Sequence, residues 1–344
     1  MKKILSLIIP TYNMEKYLNK CLDSLLVENM NLLEVLVIND GSKDNSSTIA
    51  HEYARKHPNT FKVIDKENGN YGSCINRGLK EATGKYIKVL DADDYFNTHD
   101  FNNYIQYLSK IDIDMIITPF TYVDKSGKSL YSTNYQLDEN INLTFKEVTP
   151  ILLNKHLQMH AVTYKKDILD SINYKQTEGI SYTDQEWIFT PLYKVNTIVY
   201  YNKIIYMYLI GREGQTMTKD NIKRNITHNE ICIKRIIKDY SSFSFEDKYK
   251  KEYLTYKTMT SISFMYKSYL IDYPDLPLIN LINFDDWLYE TNHQYLEEMD
   301  KQKINGTNIK YIKIWHKNRQ KRFSIIACKI IHLYSKIYNK LKHA

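Results

Sequence analysis

Short apolar runs alternate with amphipathic stretches over the first hundred residues, a pattern that few folds satisfy. Four runs are short, rich in β-branched residues and bounded by turn residues, as β-strands are: residues 5–9, 34–38, 61–64 and 86–90. Three stretches between them have helical spacing, namely residues 15–26, 45–57 and 71–82, and Asn13 and Asp44 are the predicted N-caps. This alternation predicts an α/β fold, with helices on both faces of a mostly parallel, Rossmann-like sheet.

Polar residues follow each of the four predicted strands. In chain order they are Thr11-Tyr12-Asn13, Asn39-Asp40-Gly41-Ser42, Lys66-Glu67-Asn68-Gly69 and Asp91-Ala92-Asp93-Asp94. Open α/β sheets bind their ligands beyond the carboxyl ends of the strands. The four segments therefore predict one ligand site along that edge of the sheet.

The pattern is looser beyond residue 100. Residues 115–123 predict a further strand, residues 145–154 a helix, and residues 197–209 one or two strands. After residue 218 the sequence becomes helical and polar. We therefore predict a first domain over residues 1–218 and a mainly helical C-terminal region over residues 219–344.

Three aspartates occupy four consecutive positions after the fourth strand, with the small residue Ala92 between the first two. Carboxylates on such a loop suit a hard divalent cation, Mg²⁺ or Mn²⁺. A nucleoside diphosphate would be repelled by these carboxylates unless a cation bridged the two. The alternative is a solvated turn in which Asp94 caps a helix.

Each of the other strand ends has a ligand-binding and a structural interpretation. Tyr12 offers an aromatic face to a base, whereas Asn13 beside it fits a helix N-cap. Asp40 could accept a hydrogen bond from a uracil imide or a ribose hydroxyl, or could be an ordinary turn residue. The glycines of Asn68-Gly69-Asn70-Tyr71-Gly72 allow close backbone approach to a ligand, but the segment is neither a dinucleotide-binding fingerprint nor a P-loop.

Taken together, these segments resemble family 2 of the glycosyltransferases, which has the GT-A fold. The resemblance extends over roughly residues 4–218. It rests on Ile8-Ile9-Pro10-Thr11-Tyr12-Asn13, Ile38-Asn39-Asp40-Gly41-Ser42-Lys43-Asp44, Asn76-Arg77-Gly78-Leu79 with Ala82 and Gly84, and Tyr86-Ile87-Lys88-Val89-Leu90-Asp91-Ala92-Asp93-Asp94.

The resemblance implies a role for individual residues. Tyr12 and Asp40 would hold the nucleotide base, Asp91 would lie on the ribose side, and Asp93 would hold the metal that bridges both phosphates. Asp94 is expected to be structural. The full set of residues implied to bind the nucleotide sugar is Pro10, Thr11, Tyr12, Asn13, Asp40, Asn68, Asp91, Ala92 and Arg212.

One position departs from the family pattern. The family often has Ala-Arg-Asn where this chain has Cys74-Ile75-Asn76. The cation that commonly reaches toward the base is therefore missing, and Lys66 and Arg77 are the candidates to replace it.

Tyr182-Thr183-Asp184-Gln185-Glu186-Trp187 is similar to the later acidic motif of the family, which places Asp184 in the catalytic position. Thr183 and Glu186 also fit a capping box, which would put Asp184 in the first turn of a helix. We therefore expect Asp184 to be the general base and Glu186 to be part of the cap. Trp187 fits either the core or a sugar platform.

Gly211-Arg212-Glu213-Gly214-Gln215-Thr216-Met217-Thr218 looks like the family's flexible loop that closes over the donor. Arg212 would bind the departing diphosphate through paired hydrogen bonds; the alternative is a surface turn. His160 precedes Tyr164-Lys165-Lys166, a stretch similar to the family's acceptor-side segment. We expect a structural role for His160.

The net charge of +7 is concentrated at the C-terminus, where residues 307–344 hold ten basic and no acidic residues. An apolar stripe at helical spacing accompanies this charge: Phe323, Ile326, Ile330, Leu333, Ile337 and Leu341. Such a segment predicts contact with an anionic membrane surface. The alternative is a terminal helix that packs on the body or pairs with a second copy, as in a homo-oligomer. No nucleic-acid module accompanies the charge, so we expect no nucleic-acid partner.

The resemblance implies an inverting glycosyltransferase with Mn²⁺ or Mg²⁺ as cofactor. It would move a sugar from a nucleotide-diphosphate donor, expected to be a UDP-sugar, to a hydroxyl of a glycan or lipid-linked acceptor. The route would be cell-surface polysaccharide, teichoic acid or glycolipid synthesis. Four widely spaced cysteines and the absence of a long apolar segment fit a cytoplasmic protein, at most peripheral to the inner face of the membrane.

Two other classes compete with this interpretation. Asp91-Ala92-Asp93 matches the acidic pair of phosphatases of the haloacid dehalogenase type, although that class places the pair after its first core strand. A non-catalytic sugar-nucleotide binder or membrane-docked scaffold is the second alternative. The presence of Asp93, Asp184 and Arg212 argues against a scaffold.

Overall fold

A computed structural model describes residues 2–139, 141–212, 218–304 and 308–318, together with positions 330, 333, 334 and 337. Most of the predicted basic amphipathic segment over residues 307–344 lies outside the described residues. So do Phe323, Ile326 and Leu341 of its apolar stripe, and residues 213–217 of the loop that follows Arg212.

The described residues form eleven strands and thirteen α-helices. The strands are β1 (Leu5–Thr11), β2 (Leu33–Asn39), β3 (Phe61–Asp65), β4 (Tyr86–Val89), β5 (Tyr95–Phe96), β6 (Met115–Ile117), β7 (Phe120–Val123), β8 (Ser129–Thr133), β9 (Val162–Lys165), β10 (Ile198–Tyr200) and β11 (Tyr206–Leu209). The helices are α1 (Leu18–Asp23), α2 (Ser46–Lys56), α3 (Asn70–Glu81), α4 (Thr98–Lys110), α5 (Phe145–Leu152), α6 (Lys166–Ser171), α7 (Asp184–Trp187), α8 (Lys219–Arg224), α9 (Ile226–Ser242), α10 (Lys248–Lys267), α11 (Leu278–Asn292), α12 (Gln294–Met299) and α13 (Tyr311–Asn318).

The main sheet has seven strands in the order β10-β6-β9-β4-β1-β2-β3. Neighbouring strands run parallel except at β9, which is antiparallel to both β4 and β6. Nearly every residue of β1, β2 and β4 is buried, as expected when both faces of a sheet are covered. The predicted α/β fold is therefore confirmed, and β1 to β4 are the four strands expected from the sequence.

The order of the strands explains where the helices and the site lie. The connections from β1 to β2 and from β2 to β3 step one way along the sheet, whereas the connection from β3 to β4 steps back past β1. Because such crossovers are right-handed, α1 and α2 lie on one face and α3 on the other. The chain therefore leaves β1 toward one edge of the sheet and β4 toward the other. Sheets of this kind bind ligands in the cleft between two such strands, and the polar segments after β1 and β4 border it.

The two predicted N-caps are wrong. The first helix begins at Leu18 and the second at Ser46, with other residues in the cap positions. Asn13 instead has a positive φ of 53°, and its side-chain oxygen accepts a hydrogen bond from the backbone N–H of Lys43 at 2.7 Å. Asp44 accepts hydrogen bonds from the backbone N–H of Ser46 and from one N–H of the first loop, both at 3.0 Å. Both side chains thus join the loops after β1 and β2, and Asp44 also bonds to the first residue of α2 from one position before the N-cap.

A second sheet of four strands, in the order β5-β11-β7-β8, lies beside the acidic loop that follows β4. The single strand predicted over residues 115–123 is wrong, because β6 and β7 belong to different sheets. Pro119 separates them, and a proline cannot donate a hydrogen bond to a sheet. The region over residues 197–209 forms two strands, β10 in the main sheet and β11 in the second.

The chain forms two compact units that alternate along the sequence. One unit is Met1–Thr216 with Ser242–Tyr253, and the other is Met217–Ser241 with Leu254–Ala344. The segment Ser242–Tyr253 thus belongs to the first unit, although the sequence placed a single boundary after residue 218. In the second unit Ile233, Leu281 and Phe284 pack in an apolar core. Among the described residues, no helix has the length and apolar character needed to cross a bilayer.

A hydrogen-bonded polar cluster lies inside the core of the second unit. The carboxylate of Asp285 is fully buried and accepts hydrogen bonds from the hydroxyl of Tyr266 and from Nε1 of Trp315, the latter at 2.7 Å. The imidazole of His316 lies 2.7 Å from Asp300 and 3.6 Å from Asp285. A buried carboxylate without such partners would be strongly destabilising, so the cluster holds α13 against α10 and α11.

We expect His316→Gln to destabilise the protein more in acid than in base. Burial opposes protonation of His316, but the hydrogen bonds and charges of Asp285 and Asp300 outweigh it and raise its pKa above the usual 6.5. The stabilisation is complete below pH 6.5 and is lost as the pH rises through the raised pKa of the folded state. Urea unfolding should show a loss of about 2 kcal/mol at pH 6 and a smaller loss at pH 9. The exposed His293→Gln is the control, and a pH-independent loss at His316 would contradict the prediction.

Candidate active site

Asp94 is part of the fold rather than of an open site. The residue is 1% exposed, and its two carboxylate oxygens accept hydrogen bonds from the Tyr206 hydroxyl at 2.6 Å and from the backbone N–H of Leu209 at 2.7 Å. Both partners lie on β11. Asp94 therefore ties the acidic loop to the second sheet, in the structural role expected of it.

Asp93 and Arg212 form an ion pair between residues 119 positions apart in the sequence. The Nε of Arg212 donates to a carboxylate oxygen of Asp93, and the two side chains are 13% and 12% exposed. The guanidinium also lies over the ring of Tyr17, 5.7 Å from its centroid. The structure thus brings together the predicted metal ligand and the predicted diphosphate-binding arginine.

Asp91 is held from two sides at the mouth of the cleft. Its carboxylate accepts a hydrogen bond from the Tyr71 hydroxyl at 2.8 Å and lies 3.7 Å from Nε2 of His160. Its backbone N–H donates to the hydroxyl oxygen of Tyr206 at 3.2 Å. The side chain is 24% exposed, so it combines a fixed position with access for a ligand.

The ionised forms of Asp93 and Asp94 are destabilised by burial and by neighbouring carboxylates. Burial raises the pKa of Asp93, the charge of Asp91 raises it further, and Arg212 lowers it. Burial and the charges of Asp93 and Asp91 raise the pKa of Asp94 well above its usual range, although Tyr206 donates a hydrogen bond to it. A cation bound here would relieve this repulsion, because opposite charge favours the ionised form of each carboxyl group.

The residues around the cluster fit a divalent cation. Single ligand atoms of Asp91, Asp94 and His160 lie within 4.8 Å of one another, but both oxygens of Asp94 already accept hydrogen bonds. The buried Nδ1 of His160 has no hydrogen-bond partner among the described residues. Asp91 and His160, with Asp93 nearby, therefore offer carboxylate oxygen and imidazole nitrogen, both of which are ligands of divalent cations in proteins.

The sequence did not predict that His160 would be part of this cluster. We expected a structural role for it, but its ring lies between Tyr206 and Tyr208, with ring centroids 4.9 and 4.4 Å away, and faces Asp91. The buried Nζ of Lys88 donates to the carbonyl oxygens of His160 and Val162 at 2.7 and 3.2 Å. Burial lowers the pKa of Lys88 to about 7. A lysine within a buried strand was the one signal in the sequence that could have drawn attention to this contact.

Asp40 directly follows β2 and is 3% exposed. Its carboxylate accepts hydrogen bonds from Nζ of Lys66 at 2.6 Å and from the backbone N–H of Gly69 at 3.0 Å. Of the two candidates to replace the missing arginine, Lys66 is the one that reaches Asp40 directly. Arg77 instead pairs with Glu81 on its own helix at 3.0 Å.

The remaining residues predicted to bind the donor differ in their accessibility. Tyr12 is 45% exposed and keeps a free aromatic face, and the half-buried Pro10 precedes it. Thr11 and Ala92 are 1% and 2% exposed, about as little as Asp40 at 3%, and their contacts with a donor stay predictions. Asn68 donates to the backbone carbonyl of Asp40 at 3.0 Å and orders the neighbouring loop.

The segment that carries Asp184 is fixed to helix α3. The side-chain amide of Asn76 donates to the carbonyl of Gln176 at 2.9 Å and accepts from its N–H at 2.8 Å. Gly72 allows close approach, because a Cβ at that position would lie 2.1 Å from the carbonyl oxygen of Thr177. The backbone of Gly179 also donates to Gly69 at 2.9 Å. A segment about a hundred residues downstream is thereby held beside the loop whose Gly69 contacts Asp40.

The predicted capping box formed by Thr183 and Glu186 is wrong. Thr183 is fully buried, makes no capping hydrogen bond, and donates instead to the side-chain oxygen of Gln176 at 3.1 Å. Glu186 accepts from the N–H and hydroxyl of Thr177 at 2.8 and 2.7 Å. Trp187 is 0% exposed, so it belongs to the core and is not a sugar platform.

Asp184 begins α7 and is exposed, unlike the buried residues on both sides of that turn. Burial and then Asp91 are the main reasons that the pKa of Tyr71 is raised well above its usual range, and the charge of Asp184 adds to their effect. Asp184 and Asp91 therefore both lie within electrostatic reach of one tyrosine. Tyr182, two residues earlier, has a positive φ of 68°, an unfavourable conformation for a bulky residue and one that is concentrated at functional sites.

Comparison with known proteins places this site in context. A profile of Glycosyl transferase family 2 matches residues 6–172. The uncharacterized glycosyltransferase MG025 of Mycoplasma genitalium is 32% identical over 221 residues, which are 63% of this chain and 71% of that protein. The uncharacterized glycosyltransferase EpsJ of Bacillus subtilis is 30% identical over 189 residues, 54% of each protein. The minor teichoic acid biosynthesis protein GgaB of Bacillus subtilis is 30% identical over 181 residues, which are 50% of this chain and 19% of GgaB.

The fold also matches a solved structure. The crystal structure of Staphylococcus aureus TarS, residues 1–349, in complex with UDP-GlcNAc has a TM-score of 0.72. The sequences are 20% identical, and the match covers 98% of this chain and 92% of that chain. The fold is therefore GT-A, and the phosphatase alternative is wrong, because the acidic loop follows the fourth strand of a fold of another class. The extent and identity of these matches show that the chain belongs to family 2 of the glycosyltransferases.

Proposed function

We propose that this glycosyltransferase transfers a sugar from a UDP-sugar to an acceptor hydroxyl, with inversion, during synthesis of a cell-surface polysaccharide or teichoic acid. TarS, with the same fold, binds UDP-GlcNAc, and GgaB takes part in teichoic acid synthesis by its description. The observation that carries the proposal is the exposed carboxylate of Asp184, held near an acidic loop whose Asp93 pairs with Arg212.

The nucleotide would occupy the edge of the sheet from β2 to β4. The base would stack on the exposed ring of Tyr12 and hydrogen-bond to Asp40, whose carboxylate is oriented by Lys66 and Gly69. Asp91 would accept from the ribose side of the donor. These groups are placed at neighbouring strand ends, so one extended ligand can contact all of them.

The diphosphate would lie against Asp93 and Arg212. We propose that Asp93 holds a divalent cation, with Asp91 and His160 as the nearest additional ligands. A bound cation would stabilise the negative charge that develops on the departing diphosphate. Arg212 would exchange its bond to Asp93 for paired hydrogen bonds to the diphosphate, so that both residues acquire their ligands in the same event.

Asp184 would act as the general base in a single displacement. Its carboxylate takes the proton of the acceptor hydroxyl while that oxygen attacks the anomeric carbon, and the bond from this carbon to the diphosphate oxygen breaks. Attack from the side opposite the leaving group inverts the anomeric configuration. The exposure of Asp184 allows an acceptor to reach it. The predicted contact of residues 307–344 with an anionic membrane would bring the enzyme to a membrane-linked acceptor.

A donor-binding experiment tests the proposed function. UDP-GlcNAc with Mn²⁺ should raise the thermal midpoint of the protein, because a ligand that binds only the folded state stabilises it. UDP-GlcNAc with EDTA should raise the midpoint much less. GDP-mannose with Mn²⁺ is the control for recognition of the nucleotide base. Slow release of UDP should accompany binding, since water can replace the acceptor. Absence of stabilisation by any UDP-sugar would overturn the proposed donor, and binding without turnover with any acceptor would favour the scaffold alternative.

We expect Lys66→Met to weaken UDP binding about tenfold, which corresponds to about 1.4 kcal/mol. The substitution leaves the buried carboxylate of Asp40 without its ammonium partner, so the orientation of the group that would contact the base is lost. Isothermal titration calorimetry with UDP and Mn²⁺ measures the effect. Arg77→Met is the matched control, with an expected change of less than about twofold, because Arg77 pairs with Glu81 at the surface. Equal effects of the two substitutions would contradict the role assigned to Lys66.

A further inference from the structure

Three tyrosines form a row across one face of the second sheet. Tyr131 on β8 pairs in register with Tyr122 on β7, and Tyr122 pairs in register with Tyr208 on β11. The rings of Tyr131 and Tyr122 are stacked, with centroids 4.2 Å apart, and the ring of Tyr208 meets Tyr122 edge-on at 5.2 Å. We call Tyr131, Tyr122 and Tyr208 the tyrosine row.

The tyrosine row leads from the protein surface to the candidate active site. At its inner end the ring of Tyr208 lies 4.4 Å from that of His160, and Nε2 of His160 lies 3.7 Å from the carboxylate of Asp91. At its outer end Tyr131 is 57% exposed, whereas Tyr122 and Tyr208 are half-buried. A series of aromatic rings in contact thus leads from solvent to the neighbourhood of Asp91.

Cross-strand packing explains why the three rings contact one another, but it does not explain why Tyr131 is so exposed. Stacked aromatic pairs stabilise a sheet by roughly 0.5–1.5 kcal/mol beyond the area they bury. One face of Tyr131 is covered by Tyr122, while more than half of the residue stays in contact with water. A large exposed ring that continues an aromatic path into a reaction site is typical of a binding surface.

A polar cavity of about 470 Å³ adjoins the tyrosine row. Thr133, two residues after Tyr131, lines it, and so does Gln158, whose side-chain oxygen accepts a hydrogen bond from the Tyr122 hydroxyl at 3.3 Å. Asn134, Gln136 and Lys155 also contribute to the lining. The lining carries amides, hydroxyls, the imidazole of His156 and one ammonium group, and no carboxylate. Such groups exchange hydrogen bonds with alcohols in both directions.

We propose that the tyrosine row and its polar cavity form the subsite for the acceptor, and that this acceptor is a neutral glycan of pyranose units. A pyranose presents an apolar face of C–H groups, which fits the open face of Tyr131, and a rim of hydroxyls, which fits the amides of the cavity. The lining holds one lysine and one histidine and no cluster of cations, so among the acceptors of the proposed function it favours a neutral polysaccharide over a teichoic acid, which is a polyanion. The assignment to the acceptor rests on the proposed function, because the row ends at the groups assigned to the donor.

Saturation-transfer NMR tests this subsite directly. The probes are tetrasaccharides of glucose and of N-acetylglucosamine with β1-3, β1-4, α1-4 and α1-6 linkages, each at millimolar concentration. Selective irradiation of aromatic protons should transfer saturation to the ring protons of at least one tetrasaccharide. Tyr131→Ala should reduce that signal at least fivefold, and Tyr131→Phe should retain it. Tyr289→Ala is the matched control, because Tyr289 is 64% exposed on α11 and belongs to the other compact unit, and it should leave the signal unchanged.

The outcomes separate this inference from the proposed function. No signal from any tetrasaccharide, or an undiminished signal in Tyr131→Ala, would overturn the subsite. Stabilisation by UDP-GlcNAc and Mn²⁺, measured on the same variants, shows whether each remains folded and binds donor. If the protein binds donor but no saturation is transferred to any tetrasaccharide, the subsite alone is refuted. If a tetrasaccharide binds but no donor does, the proposed function alone is refuted. If Tyr131→Ala does not fold, Tyr131→Ser and Tyr131→Phe supply the same comparison.

Discussion

Asp184→Asn should lower the rate of sugar transfer about 10³-fold, within the range of about 10²–10⁴ that general bases contribute. Asparagine retains the size of the side chain but cannot accept the acceptor proton. Because Asp184 is exposed and its neighbours Thr183 and Glu186 hold the segment in place, we expect neither the fold nor donor binding to change. Steady-state transfer measured at saturating UDP-GlcNAc gives kcat, and calorimetry gives the donor affinity.

Asp170→Asn provides a matched control for that substitution. Asp170 is 58% exposed and pairs with Lys166 on α6, so the same chemical change there should alter kcat by less than about twofold. A kcat within tenfold of wild type for Asp184→Asn would refute the assignment of the base. A parallel loss of donor affinity or of thermal stability would instead show that Asp184 is structural.

Asp93→Asn should abolish the dependence of donor binding on Mn²⁺ and lower kcat by about 10²–10³, as removal of one electrostatic stabiliser of a transition state does. An amide is a weaker ligand than a carboxylate for a divalent cation, and it can no longer neutralise Arg212. Electron paramagnetic resonance of Mn²⁺ measures metal binding without donor or turnover, and thermal shift with UDP-GlcNAc measures the donor.

The control for Asp93 is Asp112→Asn, since Asp112 is 64% exposed and pairs with Lys85 and Lys165 at the opposite end of β4 and β9. It should leave Mn²⁺ binding unchanged. If Asp93→Asn binds Mn²⁺ as the wild-type protein does, Asp93 is not a metal ligand, and Asp91 and His160 are the remaining candidates. Activity that persists in EDTA with the wild-type protein would exclude a metal-dependent mechanism altogether.

Two of the site interpretations left open by the sequence were decided by pairings across the fold. Lys66 and Arg77 were equal candidates to replace the missing arginine, and only the pairing of β2 with β3 brings Lys66 to Asp40. Glu186 matched a capping box in spacing, but in the folded chain Thr177 lies closer and satisfies its carboxylate. A spacing rule describes the local backbone, whereas a buried side chain bonds to whichever partner the tertiary structure supplies.

His160 shows the limit of sequence reasoning most clearly. Nothing near it in the chain distinguishes it from a structural histidine, because its contacts are with β4, β7 and β11. Antiparallel pairing of β9 with β4 and the buried Lys88 bring it beside Asp91. The tyrosine row arises in the same way, since strand register aligns three tyrosines that are scattered over residues 122–208.

The sequence alone determined the α/β fold, the four central strands, the polar ends of those strands and the acidic loop after the fourth. These features follow from the period of apolar residues and from the local conformations of turns, which act over a few residues. Only the tertiary structure decided that Asp94 joins the acidic loop to β11, that Asp93 pairs with Arg212 and that His160 faces Asp91. Those contacts join residues about 70 to 120 positions apart, and their energies depend on burial and charge that exist only in the folded chain.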